Sequence, residues 1–442
     1  MGNDITAVAI QKRPHLWETS LPHIAIIGAG ITGVTTAYEL LERGHDVTVL
    51  DRHRYAGMET SYANGGQLSA SNAEVWNHRS TLLKGLSWML QADAPLLLSP
   101  TPSWHKYSWI VEFIRHIPRY QQNTIETARL AIEARQHLFA LAEREQIDFD
   151  LEKRGILHIY RDRTSFEHAA AVNTLLARAG LERHPVTSEE MQVLEPALQG
   201  AYYGGFYTPS DATGDIHKFT RGLASVCVRR GAKFIYDAAV EQITHTSSGI
   251  ELSWSSRSPD RRAGGKERTK LSAQGIVICA GTSSREIASM VGDRVNIYPV
   301  KGYSITLPLE SQESREAAPW VSFLDDEAKI VSSRLGSDRL RVAGTAEFNG
   351  FNRDIRADRI NPLIEWTRQL FPSIDTSKAI PWSGLRPMTP SMLPIVGRGR
   401  RPNVFYNTGH GHLGWTLAAA TAQSISEVIT RYMPVGLGRK AA

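Results

Sequence analysis

The sequence predicts an α/β fold that opens on a Rossmann-like nucleotide-binding unit, and three observations predict it. An apolar run, His23–Ile27, breaks at Gly28-Ala29-Gly30-Ile31-Thr32-Gly33 into an amphipathic stretch, and a second apolar run ends in Asp51. A later apolar run, Gly275–Gly281, opens onto the small polar residues Thr282-Ser283-Ser284. A further strand, Val404–Asn407, leads into a glycine-rich helix start at Thr408–Thr416. Strands that repeatedly feed helices through glycine turns are the pattern of a sheet with crossover helices.

Each part of the first unit has a physical role. Gly28 permits a tight turn, Gly30 lets backbone N–H groups approach a pyrophosphate, and Gly33 lets the helix pack close to the sheet. Ile31 and Thr32 open that helix, whose N-terminus offers partial positive charge to phosphates. Asp51, 18 residues past Gly33, is placed to accept hydrogen bonds from ribose hydroxyls, with Arg52 beside it. The unit predicts a bound dinucleotide, and by itself leaves open which one.

Composition sets the outer limits. A chain of 442 residues accommodates two domains, and 42% hydrophobic with 21% charged residues is ordinary for a soluble globular protein. The net charge of +5 gives no sign of a nucleic-acid-binding face. Cys227 and Cys279 lie far apart in apolar stretches, as small core residues outside any disulfide framework or metal site. Residues 1–22 lack the apolar core of a signal peptide, and no apolar run reaches the roughly 18 residues of a spanning helix. A cytoplasmic protein is expected.

The remaining elements follow in order. Tyr55–Ser71, with Ser61, Asn64, Gly65, Gly66 and Gln67, reads as a polar loop lying against the bound cofactor. Residues 81–118 mix leucines and aromatics with Lys84, Lys106 and Arg115, with Arg119 just beyond, which suits either packing or a bilayer interface. Helical spacing predicts helices at 123–146, 164–180, Asp215–Arg230 and Ile360–Leu370. Strands are predicted at 151–160, Phe206–Thr208, Lys233–Asp237, Val240–Thr246 and Ile250–Ser255, with a charged exposed loop at 256–270. Residues 295–348 alternate like an antiparallel sheet, with strands near 303–307, 320–324, 328–333 and 339–345.

The C-terminal third carries the chemistry. Trp382–Pro390 reads as a rigid turn presenting Arg386, bounded by Gly384 and prolines. Gly409-His410-Gly411-His412-Leu413-Gly414-Trp415-Thr416 then opens a small-residue helix over Leu417–Ser424. A second glycine-lined helix start would stabilise the negative charge of a reduced flavin near N1 and O2, which favours FAD over NAD.

Several motifs together resemble the bacterial D-amino-acid dehydrogenase family, part of the glycine oxidase and D-amino-acid oxidase group of flavoenzymes. They are GAGITG at Gly28–Gly33, ETSYANGGQ at Glu59–Gln67, YPVKGYSIT at Tyr298–Thr306, GLRPMTP at Gly384–Pro390 and NTGHGHLGWT at Asn407–Thr416. The similarity spans about 22–433. It implies an FAD-binding domain of D-amino-acid oxidase type built from 22–75, 196–290 and 381–434, after an extension at 1–21. An interleaved α+β substrate-binding domain would take 76–195 and 291–380. It implies FAD contacts at the glycine unit, Asp51 and Arg52, and the loop residues Ser61 to Gln67. Val240, Ala280, Gly281, Gly384, Arg386 and the stretch Gly409–Thr416 complete them.

The resemblance also implies oxidative deamination of a D-amino acid, with electrons passed to a quinone or another carrier. A cyclic or N-alkyl amino acid such as D-proline, D-hydroxyproline, glycine or sarcosine is the alternative substrate. Arg386 corresponds to the arginine that grips the substrate carboxylate, with Tyr303 and His410 as further candidates at the reacting end. Peripheral contact with the inner membrane would run through 81–118. The chain departs from the family at its longer leader and at His412, where the family loop carries threonine.

Overall fold

The computed structural model describes residues 21–78, 96–256 and 268–435. The first unit forms where the spacing places it: strand β1 (His23–Ile27), helix α1 (Ile31–Glu42) and strand β2 (Asp46–Leu50). β1 lies inside a six-stranded sheet, parallel to β2 on one side and to Gly275–Ile278 on the other. Lys233–Ile235 and Val404–Thr408 extend it in parallel, and Ile395–Arg398 closes one edge antiparallel. Alternation along β1 assigns the two faces. Ile24 and Ile26 pack with α1, the helix Ile216–Arg229 and the C-terminal helix Gly414–Tyr432, whereas Ala25 and Ile27 face the antiparallel strands Ala238–Thr246, Gly249–Ser256 and Arg268–Ala273.

A nine-stranded mixed sheet forms the second layer. Its order is Ile380–Met388, Tyr298–Pro308, Arg339–Phe348, Ile330–Leu335, Ser322–Asp325, Ile156–Tyr160, Gly204–Thr208 and His184–Val186, with Leu96–Leu98 paired to Arg339–Phe348. On one face Tyr303, Ile305, Leu307, Leu340 and Val342 pack beneath Leu363 and Trp366 of the helix Ala357–Leu370. The other face meets the loop after β2, where Ser304 Oγ donates to the Ala63 carbonyl (2.8 Å) and Ser333 Oγ to that of Gly65 (2.7 Å). Gly204–Thr208 and Ile380–Met388 join this sheet, so the chain changes layers inside the segments 196–290 and 381–434.

Several local expectations are corrected. Trp382–Pro390 is not a turn: Ile380–Met388 is an edge strand antiparallel to Tyr298–Pro308. Prolines are tolerated there because an edge strand has one row of N–H groups that pair with nothing. The strand read at 151–160 begins only at Ile156, and the C-terminal helix is longer than the small-residue stretch suggested. Of the loop read at 256–270, the part from Arg268 is strand, and 257–267 lie outside the described residues.

Residues 1–20 and 79–95 also lie outside, which removes most of the leader and the first part of 81–118. In the described part, the helix Trp104–Arg115 buries Trp109 and Phe113 against Tyr298, Phe348 and Met388, and exposes Trp104, Tyr107, Val111 and Ile114. Cys227 and Cys279 are free and buried. Among the described residues no helix is long and apolar enough to cross a membrane.

Candidate active site

A cavity of about 780 Å³ lies between the carboxyl ends of the parallel strands and the nine-stranded sheet. Every site residue picked from the sequence lines it except Gly33. Gly33 instead packs α1 on the strand turn, where a Cβ would lie 1.8 Å from the Gly28 carbonyl oxygen. Gly28, at φ 111°, is confined similarly, 2.5 Å from the Cys279 carbonyl oxygen. Gly30 differs: a Cβ there would meet only Ser61 Oγ, at 3.5 Å, so the space before it is left open toward the cavity.

The α1 N-terminus points its unneutralised dipole into that space. Gly30 offers no side-chain cap and the first turn holds no acid, while the Ile31 N–H donates to Ser61 Oγ (3.0 Å). Asp51 accepts from the Ala29 N–H (2.6 Å) on one oxygen and the His53 N–H (2.8 Å) on the other. Burial raises its pKa against the pull of those amides, and each oxygen keeps a lone pair for a ribose hydroxyl. Arg52 donates to Ser283 Oγ and to Glu59. Glu59 also meets His53 (2.6 Å) and Arg353 (2.7 Å). Burial would push its carboxyl up, but these three partners hold it at about 2.

At the other end, two glycines on neighbouring strands, Gly302 and Gly384, face each other across the ladder. A Cβ on Gly384 would fall 2.1 Å from the Trp382 ring, and one on Gly302 would fall 2.3 Å from Arg386 Nη2. The missing side chain of Gly302 makes the floor on which the guanidinium lies, and that of Gly384 makes room for the Trp382 ring. Arg386 Nη1 donates to the Thr345 carbonyl (2.9 Å). Burial alone lowers its pKa, to about 10, with no carboxylate among the described residues opposing it. It therefore stays protonated at neutral pH, a half-buried cation that no carboxylate among the described residues answers and that a ligand anion would stabilise.

The other candidates separate. His410 Nε2 bonds to Thr421 Oγ1 (2.9 Å), and burial lowers its pKa to about 3, so it ties the loop to the C-terminal helix as a neutral scaffold. Tyr303 is 1% exposed, and its hydroxyl donates to Glu347 (2.7 Å), itself 3.3 Å from the buried Lys301 ammonium. Burial and then Glu347 raise the phenol's pKa. That hydroxyl is committed to the sheet interior. His412 stacks on Trp76 (centroids 5.0 Å apart), and burial followed by the Arg386 charge lowers it to about 4. Its Nε2 is buried without a partner.

The family model for FAD-dependent oxidoreductases of the DAO type matches residues 23–428. The chain belongs to this family. As a member it is similar to D-amino acid dehydrogenase 3 of Mesorhizobium japonicum, 61% identical over 415 residues that cover 94% of this chain and 98% of the relative. A D-amino acid dehydrogenase of Paramagnetospirillum magneticum is 39% identical, over 92% of this chain and 94% of the relative. The fold matches that of glycine oxidase from Geobacillus kaustophilus, at 21% identity and a TM-score of 0.70, covering 95% of this chain and all of that one.

FAD fits the residues present. The open space before Gly30, the free α1 N-terminus and the Asp51 lone pairs suit the ADP half. The C-terminal helix starts at Gly414 with no side-chain cap, after Gly409 and Gly411 at φ 76° and 59°. Its amides therefore face the cavity uncompensated, as an anionic ring edge requires. The Gly411 N–H donates to the Pro387 carbonyl (3.0 Å), which joins this loop to the arginine strand.

Sequence reasoning missed Gly302, Glu59, Trp76 and Thr345 as cavity residues. An isolated glycine inside an alternating strand is the signal that could have found Gly302. Glu59 lay within a quoted motif but carried no stated role. Nothing local distinguishes Trp76 or Thr345.

Proposed function

We propose that this flavoenzyme oxidises D-amino acids to 2-oxo acids and ammonium, and that Arg386 holds the substrate carboxylate. One observation carries the reading: a half-buried guanidinium, laid over Gly302 in the cavity wall, has no counter-charge among the described residues. A planar fork of donors matches a carboxylate bidentately and sets its orientation. The names of the relatives above support the D-amino acid as substrate.

FAD, when bound, supplies the acceptor for a hydride. The protein's part is alignment. Arg386 anchors the carboxylate, the Thr345 carbonyl holds the guanidinium, and the stacked Trp76 and His412 rings bound the same space. The substrate amine must be neutral for its electron pair to drive hydride from Cα, and the imine is then hydrolysed by water. The two buried imidazoles, both neutral, add no cation to repel the substrate's ammonium form. Asp51, the α1 N-terminus and the loop Ser61–Gln67 would hold the ADP and ribityl portions, and Gly409–Thr416 the flavin edge.

Electrons leave to a quinone or another carrier. The face formed by Trp104, Tyr107, Val111 and Ile114, at 82%, 46%, 48% and 43% exposure, runs along one side of a helix followed by the exposed Arg115 and Arg119. Aromatic and apolar groups beside cations suit the surface of an anionic bilayer, where the quinone resides. The test of the activity is a panel of D- and L-amino acids, sarcosine and D-prolines, assayed with an artificial acceptor and separately with oxygen. Turnover of D-amino acids with the acceptor, and little with oxygen, is expected. Turnover of the L-series alone would refute it.

A further inference from the structure

The strand Arg339–Phe348 loses its regular pairing beside the guanidinium. Lys301 faces Glu347 and Tyr303 faces Gly344, so Gly302 alone stands opposite both Thr345 and Ala346. This is a β-bulge with its extra residue on the Thr345 strand, a device that re-aims groups next to active sites. Thr345 takes a φ of 59°, a left-handed conformation that β-branched residues avoid. Such strain persists where the surroundings over-determine it, and it clusters at functional sites.

Two consequences follow from that conformation. The Thr345 carbonyl turns onto Arg386 Nη1 (2.9 Å), and the Thr345 hydroxyl is left buried with no hydrogen-bond partner. The residue is 8% exposed and lines the cavity. Among the described cavity residues, the other buried side-chain atoms without partners are His412 Nε2 and Trp415 Nε1. The Trp415 ring packs against Phe149 and Phe219 in the core under the parallel sheet, and His412 Nε2 belongs to a neutral ring. Thr345 is the one of the three bonded directly to Arg386. That hydroxyl finds no partner among the described residues, and it belongs to the residue that holds the guanidinium to which a carboxylate would come.

We propose that Thr345 binds substrate: its hydroxyl donates to one oxygen of the carboxylate that Arg386 grips. This rests on reading the cavity as the site of amino-acid oxidation. A carboxylate offers about four acceptor directions, and a guanidinium fork uses two of them. A third donor would fix the carboxylate more firmly against the arginine than the fork alone.

The test titrates FAD-loaded protein with pyruvate, a non-reacting 2-oxo acid, and follows the flavin absorbance. Wild type is compared with Thr345→Val, Thr345→Ser, Thr345→Gly and Arg386→Lys, with FAD content and melting temperature recorded. Loss of a hydrogen bond to a charged group predicts that Thr345→Val weakens pyruvate binding about 10- to 100-fold, while Thr345→Ser stays within about threefold. If Thr345→Val does not fold, Thr345→Gly relieves the backbone strain, lacks the hydroxyl and is expected to show the same weakening. Pyruvate affinity within twofold of wild type in the hydroxyl-free variant, with Arg386→Lys weakened, overturns the Thr345 assignment and leaves the activity standing. Loss of FAD in place of pyruvate affinity also overturns it, because the hydroxyl then serves the cofactor. Undiminished binding in Arg386→Lys sinks the underlying reading instead.

Discussion

Replacing Arg386 by alanine removes a half-buried cation of the cavity wall that has no counter-charge among the described residues. Two charge-assisted hydrogen bonds to a carboxylate are worth about 1.5–3 kcal/mol each, or about 3–6 kcal/mol together. At about 1.4 kcal/mol per factor of ten, kcat/KM should fall by two to four powers of ten. Arg386→Lys keeps the charge and loses the fork, so one such bond is lost and the fall is about one to two powers of ten. The fold should hold, since its internal loss is the single bond to the Thr345 carbonyl and an unpaired, half-buried charge disappears with it. The assay is dye-linked turnover of D-alanine and D-proline by protein whose flavin spectrum and melting temperature have been recorded. Yellow, stable Arg386→Ala within a factor of two of wild type would refute the carboxylate clamp.

The two glycines of the first turn should part company. Gly33→Ala drives a methyl into the Gly28 carbonyl and should cost more than about 2 kcal/mol in stability, read by thermal melting, whereas Gly30→Ala should fold normally and bind FAD more weakly. Glu59 sits below its usual 4.5, at about 2, so its contribution is complete above pH 4.5 and is lost as pH falls toward 2. Over that window the wild type should lose up to about 3 kcal/mol that Glu59→Gln never had, so acid unfolding curves of the two should converge at low pH. Trp104→Ser combined with Ile114→Ser should abolish cosedimentation with anionic phosphatidylglycerol vesicles and leave dye-linked turnover intact; unchanged cosedimentation would remove the membrane face.

Period and punctuation made much of the fold legible. The β1–α1–β2 unit, the helix Tyr120–Arg144 and the antiparallel run after residue 295 come from local alternation and glycine placement, which a linear reading samples directly. Arg386 was legible as a residue and misread as a turn. Its prolines signal irregularity locally, yet an edge position, which depends on what pairs alongside, accommodates them in a strand. Tyr303 and His410 were picked for their chemistry, and their partners Glu347 and Thr421 lie on other elements, so only packing could show those groups already engaged.

By itself the order of residues determined that a dinucleotide is cradled by glycine turns and that an arginine near the C-terminus is singled out. It did so because turns, helix starts and strand periods depend on neighbours a few positions away. Tertiary structure decided that Gly302 meets Gly384, that the bare backbone of Gly302 beds a guanidinium, and that Thr345 is bent beside it. Those are contacts between strands distant in the chain, set by register across a sheet, and register is a property no single segment carries.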